Sequence, residues 1–426
     1  MITFKAKSTF GRLAILGSVA VAVLLAWFGV RWEIANMLGE LTSPIQPNSL
    51  EIAEAAVNLS PRDRLPRLLL AEKLKEDFTP ESTAASIRNF EDAVRCSPYD
   101  YRSWIELGRS YEQAERLDEA ETAFKHALSL APEYTFPQWQ IGNFYLRRDR
   151  VDEAFAYLTK ATEKSFVYRE QVFALAWDYF DQDPARVEQV AADTPETRVT
   201  LAVFYSVRGA AADALRVWNS IPEDVRARHL PILKNMTQRL YEKRHFREAL
   251  ELARQAGIDP DAQFETISNP SFEKAFGDSE RTLFGWQLNR SDSKVEILPD
   301  ANVKSDGQRG LKFNFKGFNR PSLLYLSQLT AVQPGARYRL RFMVRAENLR
   351  TGGEPVIDIV DAKNDVLLAR SPRFPVGSHD WMPVTVEFAV PDGTDGIHVR
   401  TGRESCGEIC PINGIVWLDA FKLERI

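Results

Sequence analysis

Trp104, Leu107, Gly108, Tyr111, Ala120, Phe124, Ala127 and Pro132 stand at intervals that put them on the facing sides of two successive short helices. Ile141, Gly142, Tyr145, Ala154, Leu158 and Ala161 follow in the same phase, with Trp139 slipped one place from the aromatic position. A single helix pair cannot hide its apolar stripes and must stack on copies of itself, here with a period of about 34 residues. Small residues, Gly108, Ala120 and Ala127, are expected where helices touch, with Trp104, Leu107, Tyr111 and Phe124 filling the gaps between. Pro132 stops the second helix, because its φ is fixed and it has no N–H. Looser copies run through Leu201, Ala202, Tyr205, Ala214, Trp218 and Ile221, and through Met236, Leu240, Ala249, Ala253 and Ala256. Upstream, Phe90, Ala93 and Pro98 fit a second helix whose partner holds Leu68–Leu70, Ala71 and Leu74, while Val172, Leu175, Ala176 and Tyr179 suggest a shortened pair cut at Pro184. Five or six helix pairs are expected between Leu50 and Gly257.

This order of residues resembles the tetratricopeptide repeat, which implies an α-solenoid that binds ligands on the face formed by its first helices. Family positions carried onto the two clearest copies give Arg102, Ile105, Arg109, Glu112 and Gln113, then Phe136, Trp139, Asn143 and Arg147. Arginines beside Trp139 could hold an acidic peptide or an anionic sugar through charge-assisted hydrogen bonds and stacking. A solvated polar face is the plainer reading of each residue taken singly. A protein partner in this groove is the expectation for the set.

Leu13 to Val30 contains no charged residue and, at about 1.5 Å per helical residue, nearly crosses a bilayer's hydrocarbon core. Lys5, Lys7 and Arg12 precede it, so the positive-inside bias sets residues 1–12 in the cytoplasm and the bulk of the chain on the periplasmic side of the inner membrane. A cleaved signal peptide and a buried soluble helix are the alternatives; the run is long for the first. Residues 13–30 are thus read as a single-pass transmembrane anchor and 31–49 as a linker, with turn-rich Thr42–Asn48 inside it.

The chain's 426 residues suffice for two or three domains, and a net charge of −5 gives no general attraction to nucleic acid. No phosphate-binding loop, Gly-x-Ser-x-Gly or His-Glu-x-x-His occurs, and the five histidines show no ligand spacing. Ser378-His379-Asp380 is better explained as a turn, and Glu404 with Glu408 gives no measure of a glycosidase separation. A non-catalytic chain is expected.

After Gly257 the period changes to two. Tyr338, Leu340, Phe342 and Val344 point one way while Arg339, Arg341 and Arg345 point the other, and Val384, Val386, Phe388 and Val390 repeat the pattern. Further strands are expected at 295–298, 311–315, 323–329, 356–360, 366–369, 397–400 and 416–423, between turns such as Asp306-Gly, Pro334-Gly and Pro391-Asp-Gly. These make residues 264–426 an all-β sandwich, a jelly roll by first choice. Cys406 and Cys410 share a Gly- and Pro-containing loop in which a disulfide is open; Cys96 is read as a small core residue.

The succession Asn269-Pro-Ser-Phe-Glu, Gly285-Trp286, Gly310-Leu311, Gln328, Pro334-Gly335, Tyr338, Trp381, Phe388, Gly414 and Trp417-Leu-Asp419 resembles the carbohydrate-binding-module jelly rolls of the galactose-binding-like class. In combination with the repeats, it is similar to bacterial envelope proteins that accompany O-antigen or exopolysaccharide polymerisation. The resemblance implies a structural Ca2+ between Glu273 and Asp419; strand capping or ion pairing is the alternative for both. It also implies polysaccharide binding, for which Phe318, Asn319, Arg320, Tyr325 and Gln328 are candidates, although Tyr325 and Gln328 differ in strand parity. Core packing is the competing reading of Tyr325, Trp381 and Trp417.

Overall fold

The computed structural model describes residues 9–42, 48–276, 282–320 and 324–426. Lys5 and Lys7, and most of the turn-rich stretch before Asn48, lie outside the described residues. The chain divides into two compact units, Met1–Ala192 and Asp193–Ile426.

The first unit is helical: α1 (Thr9–Leu41), α2 (Ser49–Leu59), α3 (Arg64–Lys75), α4 (Pro80–Cys96), α5 (Tyr101–Gln113), α6 (Leu117–Leu130), α7 (Thr135–Leu146), α8 (Val151–Lys164), α9 (Phe166–Tyr179) and α10 (Pro184–Gln189). Helix starts follow side-chain chemistry. Asp63 and Asp100 accept the N–H two residues on, and Thr79 with Ser82 closes a reciprocal capping box. The apolar helix does not end at Val30. It runs unbroken to Leu41, so the expected linker over 31–49 is helical in its first part.

Pairs α3–α4, α5–α6, α7–α8 and α9–α10 stack as the spacing predicts, and the contacts show why the small residues stand where they do. A Cβ on Gly142 would lie 2.7 Å from Leu158 Cγ, and one on Gly108 would lie 3.0 Å from the Phe124 ring. Ala120, Ala127, Ala154 and Ala161 are fully buried. Between the helices of a pair the chain turns through a positive φ, at Glu115 (58°) and at Asp149 (54°), 34 positions apart by their numbers. Cys96 departs from expectation: it ends α4 facing solvent and is not a core residue.

The second unit begins with α11 (Pro195–Arg208), α12 (Ala211–Asn219), α13 (Glu223–Arg228), α14 (Leu230–Glu242) and α15 (Phe246–Gln255). Strands β1 (Gln287–Leu288), β2 (Val295–Asp300), β3 (Gly310–Asn319), β4 (Leu326–Ala331), β5 (Arg337–Thr351), β6 (Pro355–Asp361), β7 (Leu367–Arg370), β8 (Gly377–Ala389), β9 (Gly396–Arg403) and β10 (Cys410–Arg425) follow. They form two five-stranded sheets, β1-β4-β9-β6-β7 and β2-β3-β10-β5-β8, with every pairing antiparallel. The jelly-roll sandwich encloses the alternating residues expected, Tyr338, Leu340, Phe342 and Val344 facing Ile357, Ile359, Ile397 and Val399. Phe421 stacks on Phe342 at 5.0 Å, and Phe272 and Trp286 close the same cluster.

Helix α15 is keyed to the sandwich. Phe246 lies against Gly396, where an added Cβ would sit 2.5 Å from the ring, and Asp395 accepts the Arg247 N–H at 3.1 Å. Tyr241 meets Phe284 edge-on at 5.7 Å. Gly396→Val is therefore expected to lower stability by about 1–3 kcal/mol, the usual cost of overpacking. Gly393→Ala, which meets nothing within 4 Å, is expected to be silent in the same denaturant titration.

Candidate binding surfaces

The stacking of the first unit is locked by a device that recurs at the repeat period. Tyr111 donates its hydroxyl to Glu91 of α4 at 2.9 Å, and Tyr145 donates to Glu121 of α6 at 3.0 Å. Arg116 lies over the Tyr111 ring at 4.5 Å and bonds Glu119; Arg150 lies over Tyr145 at 4.3 Å and bonds Glu153 and Glu121. Burial and the bond to Glu91 push the Tyr111 hydroxyl up to about 12, and Tyr145 rises for the same reasons. The spacing Tyr-x4-Arg-x2-Glu at both sites was the sequence signal for this lock, and hydrophobic periodicity alone overlooks it. Trp104 and Gln138 are a second such pair, each donating to the carbonyl six residues back, at Pro98 and Pro132, both at 2.8 Å. Gln138 takes the tryptophan's place, which leaves Trp139 on the other side, 5.2 Å from Tyr168.

The first-helix residues do not form one open cationic strip. Arg147 of α7 makes a two-point bond to Glu112 of α5 at 2.7 and 2.8 Å, and Arg109 pairs with Glu106 at 3.0 Å. Arg102 contacts the Tyr101 hydroxyl, Asn143 donates to the Trp139 carbonyl, and Gln113 is exposed beside Ala114. Phe136 and Trp139 are half-buried. On α3, Glu72 has its pKa raised by burial and by Glu106 of α5. The face thus offers mixed charge with an aromatic floor, suited to a peptide carrying both signs rather than to a purely acidic one.

In the sandwich the five sugar-site candidates part company. Phe318 (58% exposed), near the end of β3, and Arg320, just past it, face solvent. Asn319 is buried and accepts from Arg403, whose guanidinium also donates to the Gly353 and Pro411 carbonyls and the Thr351 hydroxyl. Tyr325 is buried with its hydroxyl on Asp292, and Gln328 bridges both backbone atoms of Ser268. These three side chains are spent inside the fold. Trp417, also buried, donates to Asp300 and is flanked by Lys312 and Arg345. Across the outer face of the other sheet the register instead lines up Gln287, Ser327, Arg400, Asp358 and Arg370, one residue per strand, a row the sequence reading missed because it exists only through strand order. Arg370 grips Asp358 at 2.7 and 3.1 Å, and Arg400 bonds Asp365 at 2.8 Å.

Cys406 of the β9–β10 loop is disulfide-linked to Cys410, the first residue of β10. Ser378 accepts from the Asn348 N–H, His379 meets the Asp380 backbone carbonyl, and the Asp380 carboxylate accepts the Trp381 N–H.

Glu273 and Asp419 do converge on one loop, but through amides. Glu273 Oε1 accepts the N–H groups of Gln308 and Arg309 at 2.7 and 3.1 Å. Asp419 Oδ2 accepts those of Ser305 and Asp306 at 2.7 and 3.0 Å, and its Oδ1 takes that of Ala420 at 2.7 Å. Calcium takes six to eight oxygens. Here the positive ends of peptide dipoles face the carboxylates, and among the described residues no group of three or more His, Cys, Asp or Glu is arranged for a metal. The pair as placed does not fit Ca2+; it pins residues 305–309 by itself. Chelation is expected to leave the melting temperature unchanged, whereas Asp419→Ala, which removes a buried carboxylate and its three amide bonds, is expected to cost about 1–3 kcal/mol.

Residues 101–134 match the family model of the tetratricopeptide repeat. Superkiller protein 3 of Saccharomyces cerevisiae is 31% identical over 88 residues, covering 19% of this chain and 6% of that protein, so the chain spans a small fraction of this curated relative. Among solved structures, MamA from Desulfovibrio magneticus is similar at 20% identity over 32% of this chain and 74% of its own, with a TM-score of 0.28. A CBM4 structure is similar at 13% identity over 38% of this chain and 99% of its own, also with a TM-score of 0.28. TmCBM61, solved with β-1,4-galactotriose, is similar at 16% identity, 38% and 97% coverage and a TM-score of 0.27.

One acid-range consequence follows from the lock. Burial alone would raise the Glu121 pKa, but bonds from Lys125, Arg150 and Tyr145 outweigh it and bring it down to about 2. Its unfolded value is about 4.3. The stabilisation is therefore complete above that value and lost as pH falls toward 2. In urea titrations Glu121→Gln should be less stable than the parent at pH 6, and the gap should narrow at pH 3.

Proposed function

We propose that this chain is a non-catalytic, membrane-anchored scaffold with its bulk on the periplasmic side, whose repeats recruit a protein partner and whose sandwich holds or senses a polysaccharide during exopolysaccharide or O-antigen assembly. The observation that carries the recruiting role is the division of labour in the first unit. Tyr111, Tyr145 and the small residues spend one side of each helix on stacking, and Arg102, Arg109, Gln113, Trp139 and Arg147 remain on the first helices with an exposed or half-exposed surface. Mixed charge over aromatic rings gives a partner both steering and area. Supporting the anchor is α1, whose apolar window has a mean hydropathy of 2.4 and no burial inside the protein.

For a polysaccharide, Gln287, Ser327, Arg400 and Arg370 of the row supply amide, hydroxyl and guanidinium to pair with hydroxyls, with Arg370 held by buried Asp358, and Phe318 with Arg320 supplies an exposed ring and charge at the loop end. One finding favours a second reading, a protein-assembly scaffold whose sandwich has no sugar affinity: Tyr325 and Trp417, two of the large aromatics best suited to stack on a pyranose, are buried. Affinity gels with the full chain separate the two. A shift in acidic or neutral polysaccharide that is lost in Arg400→Ala and in Phe318→Ala supports the first reading, and no shift with any polysaccharide favours the second. For recruitment, Arg109→Ala with Arg147→Ala should abolish partner capture from the native envelope at a stability cost of no more than about 1 kcal/mol for each exposed ion pair lost.

A further inference from the structure

The apolar part of α1 is continuous with a segment that the repeats themselves grip. Helix α1 has 33 residues, roughly 50 Å at 1.5 Å per residue, and a hydrocarbon core takes about 30 Å of it. One face of the remainder is packed. Val21 to Val30 are all exposed, and contact begins at the next residue: Arg31 Nη2 donates to the Asn58 carbonyl at 3.1 Å. Ala35 is fully buried, Asn36 Nδ2 donates to Asp63 at 2.8 Å, and Gly39 lies against Leu65, a Cβ there meeting its side chain at 3.7 Å. The end of the uncharged run and the start of protein packing therefore coincide, though one is a property of sequence and the other of contacts. The level of Arg31 also carries exposed Trp27 and Trp32, with the guanidinium 6.0 Å from the Trp27 ring, the side-chain types that sit at a membrane–water boundary.

We propose that α1 is a rigid post rather than a flexible tether, and that the α2–α3 turn, Asn58–Arg62, rests on the lipid headgroups. The bond from Arg31 to Asn58 brings the end of α2 to the depth of the boundary residues, and Pro61 and Arg62 continue from it exposed. Arg62 and Arg31 then face headgroup phosphates, and the helix pairs stand at a fixed height above the bilayer. The inference rests on α1 spanning the membrane.

The test uses the full chain with Cys96→Ser in nanodiscs of neutral and anionic phospholipid, carrying one fluorophore at Leu24→Cys, Arg62→Cys or Glu115→Cys. Quenchers are spin labels on the acyl chain or on the headgroup. Acyl-chain quenching at position 24 and headgroup quenching at position 62, with neither at position 115, is expected. Adding Gly39→Leu, which wedges α1 from Leu65, should abolish the signal at 62 and keep that at 24. Quenching at 24 with position 62 as silent as 115 overturns the post while leaving the anchor. A signal at 62 that survives Gly39→Leu overturns the grip as its cause, and no quenching at 24 overturns the anchor and the post together.

Discussion

A tyrosine hydroxyl reaching back to a glutamate of the preceding pair is the contact on which the helical unit depends, because it joins what hydrophobic burial alone leaves free to slide. Apolar stripes have no preferred register along a helix, and their burial is non-directional. The bonds Tyr111–Glu91 and Tyr145–Glu121 have one, and the arginines over both rings shield them from water. Gly108 and Gly142 permit the close approach within each pair, α5 to α6 and α7 to α8. With register fixed by half-buried polar groups, the first helices are free to carry residues chosen for a partner.

The sandwich solves a related problem in the opposite way. Its core is a continuous aromatic cluster, Phe272, Trp286, Phe342, Phe374 and Phe421, and its polar groups are consumed in fixing loops. Glu273 and Asp419 gather backbone amides of one loop, and Arg403 gathers carbonyls and Asn319 at the other end. A carboxylate that already accepts several amide bonds is poorly placed to take a cation, which is why residues that looked like ligands act as clasps.

Much of the fold was legible. Period-34 spacing placed α3 to α9, and two-residue alternation placed β2 to β10, since both patterns report burial directly, although the long strands β5, β8 and β10 run about six or seven residues past the alternating stretch. The two-residue strand β1, the single-turn α13 and the run of α1 beyond Val30 were not legible, because each is set by neighbours and not by its own pattern. The binding surfaces were read less well. Asn319, Tyr325 and Gln328 are chemically apt for sugar, and nothing local distinguishes an apt residue at the surface from one that satisfies Arg403, Asp292 or Ser268 inside. The row from Gln287 to Arg370 draws its members from five strands whose order in the sheet is not their order in the chain.

The central claim is that the first-helix face of the repeats meets another protein. Photo-crosslinking in the native membrane addresses it directly, with the reactive residue placed in turn at Trp139, Arg109 and, on the second-helix side, Lys125. Crosslinks to a common protein from 139 and 109, and none to it from 125, are the predicted result. Equal crosslinking from all three positions, or none from the first-helix face, would contradict it.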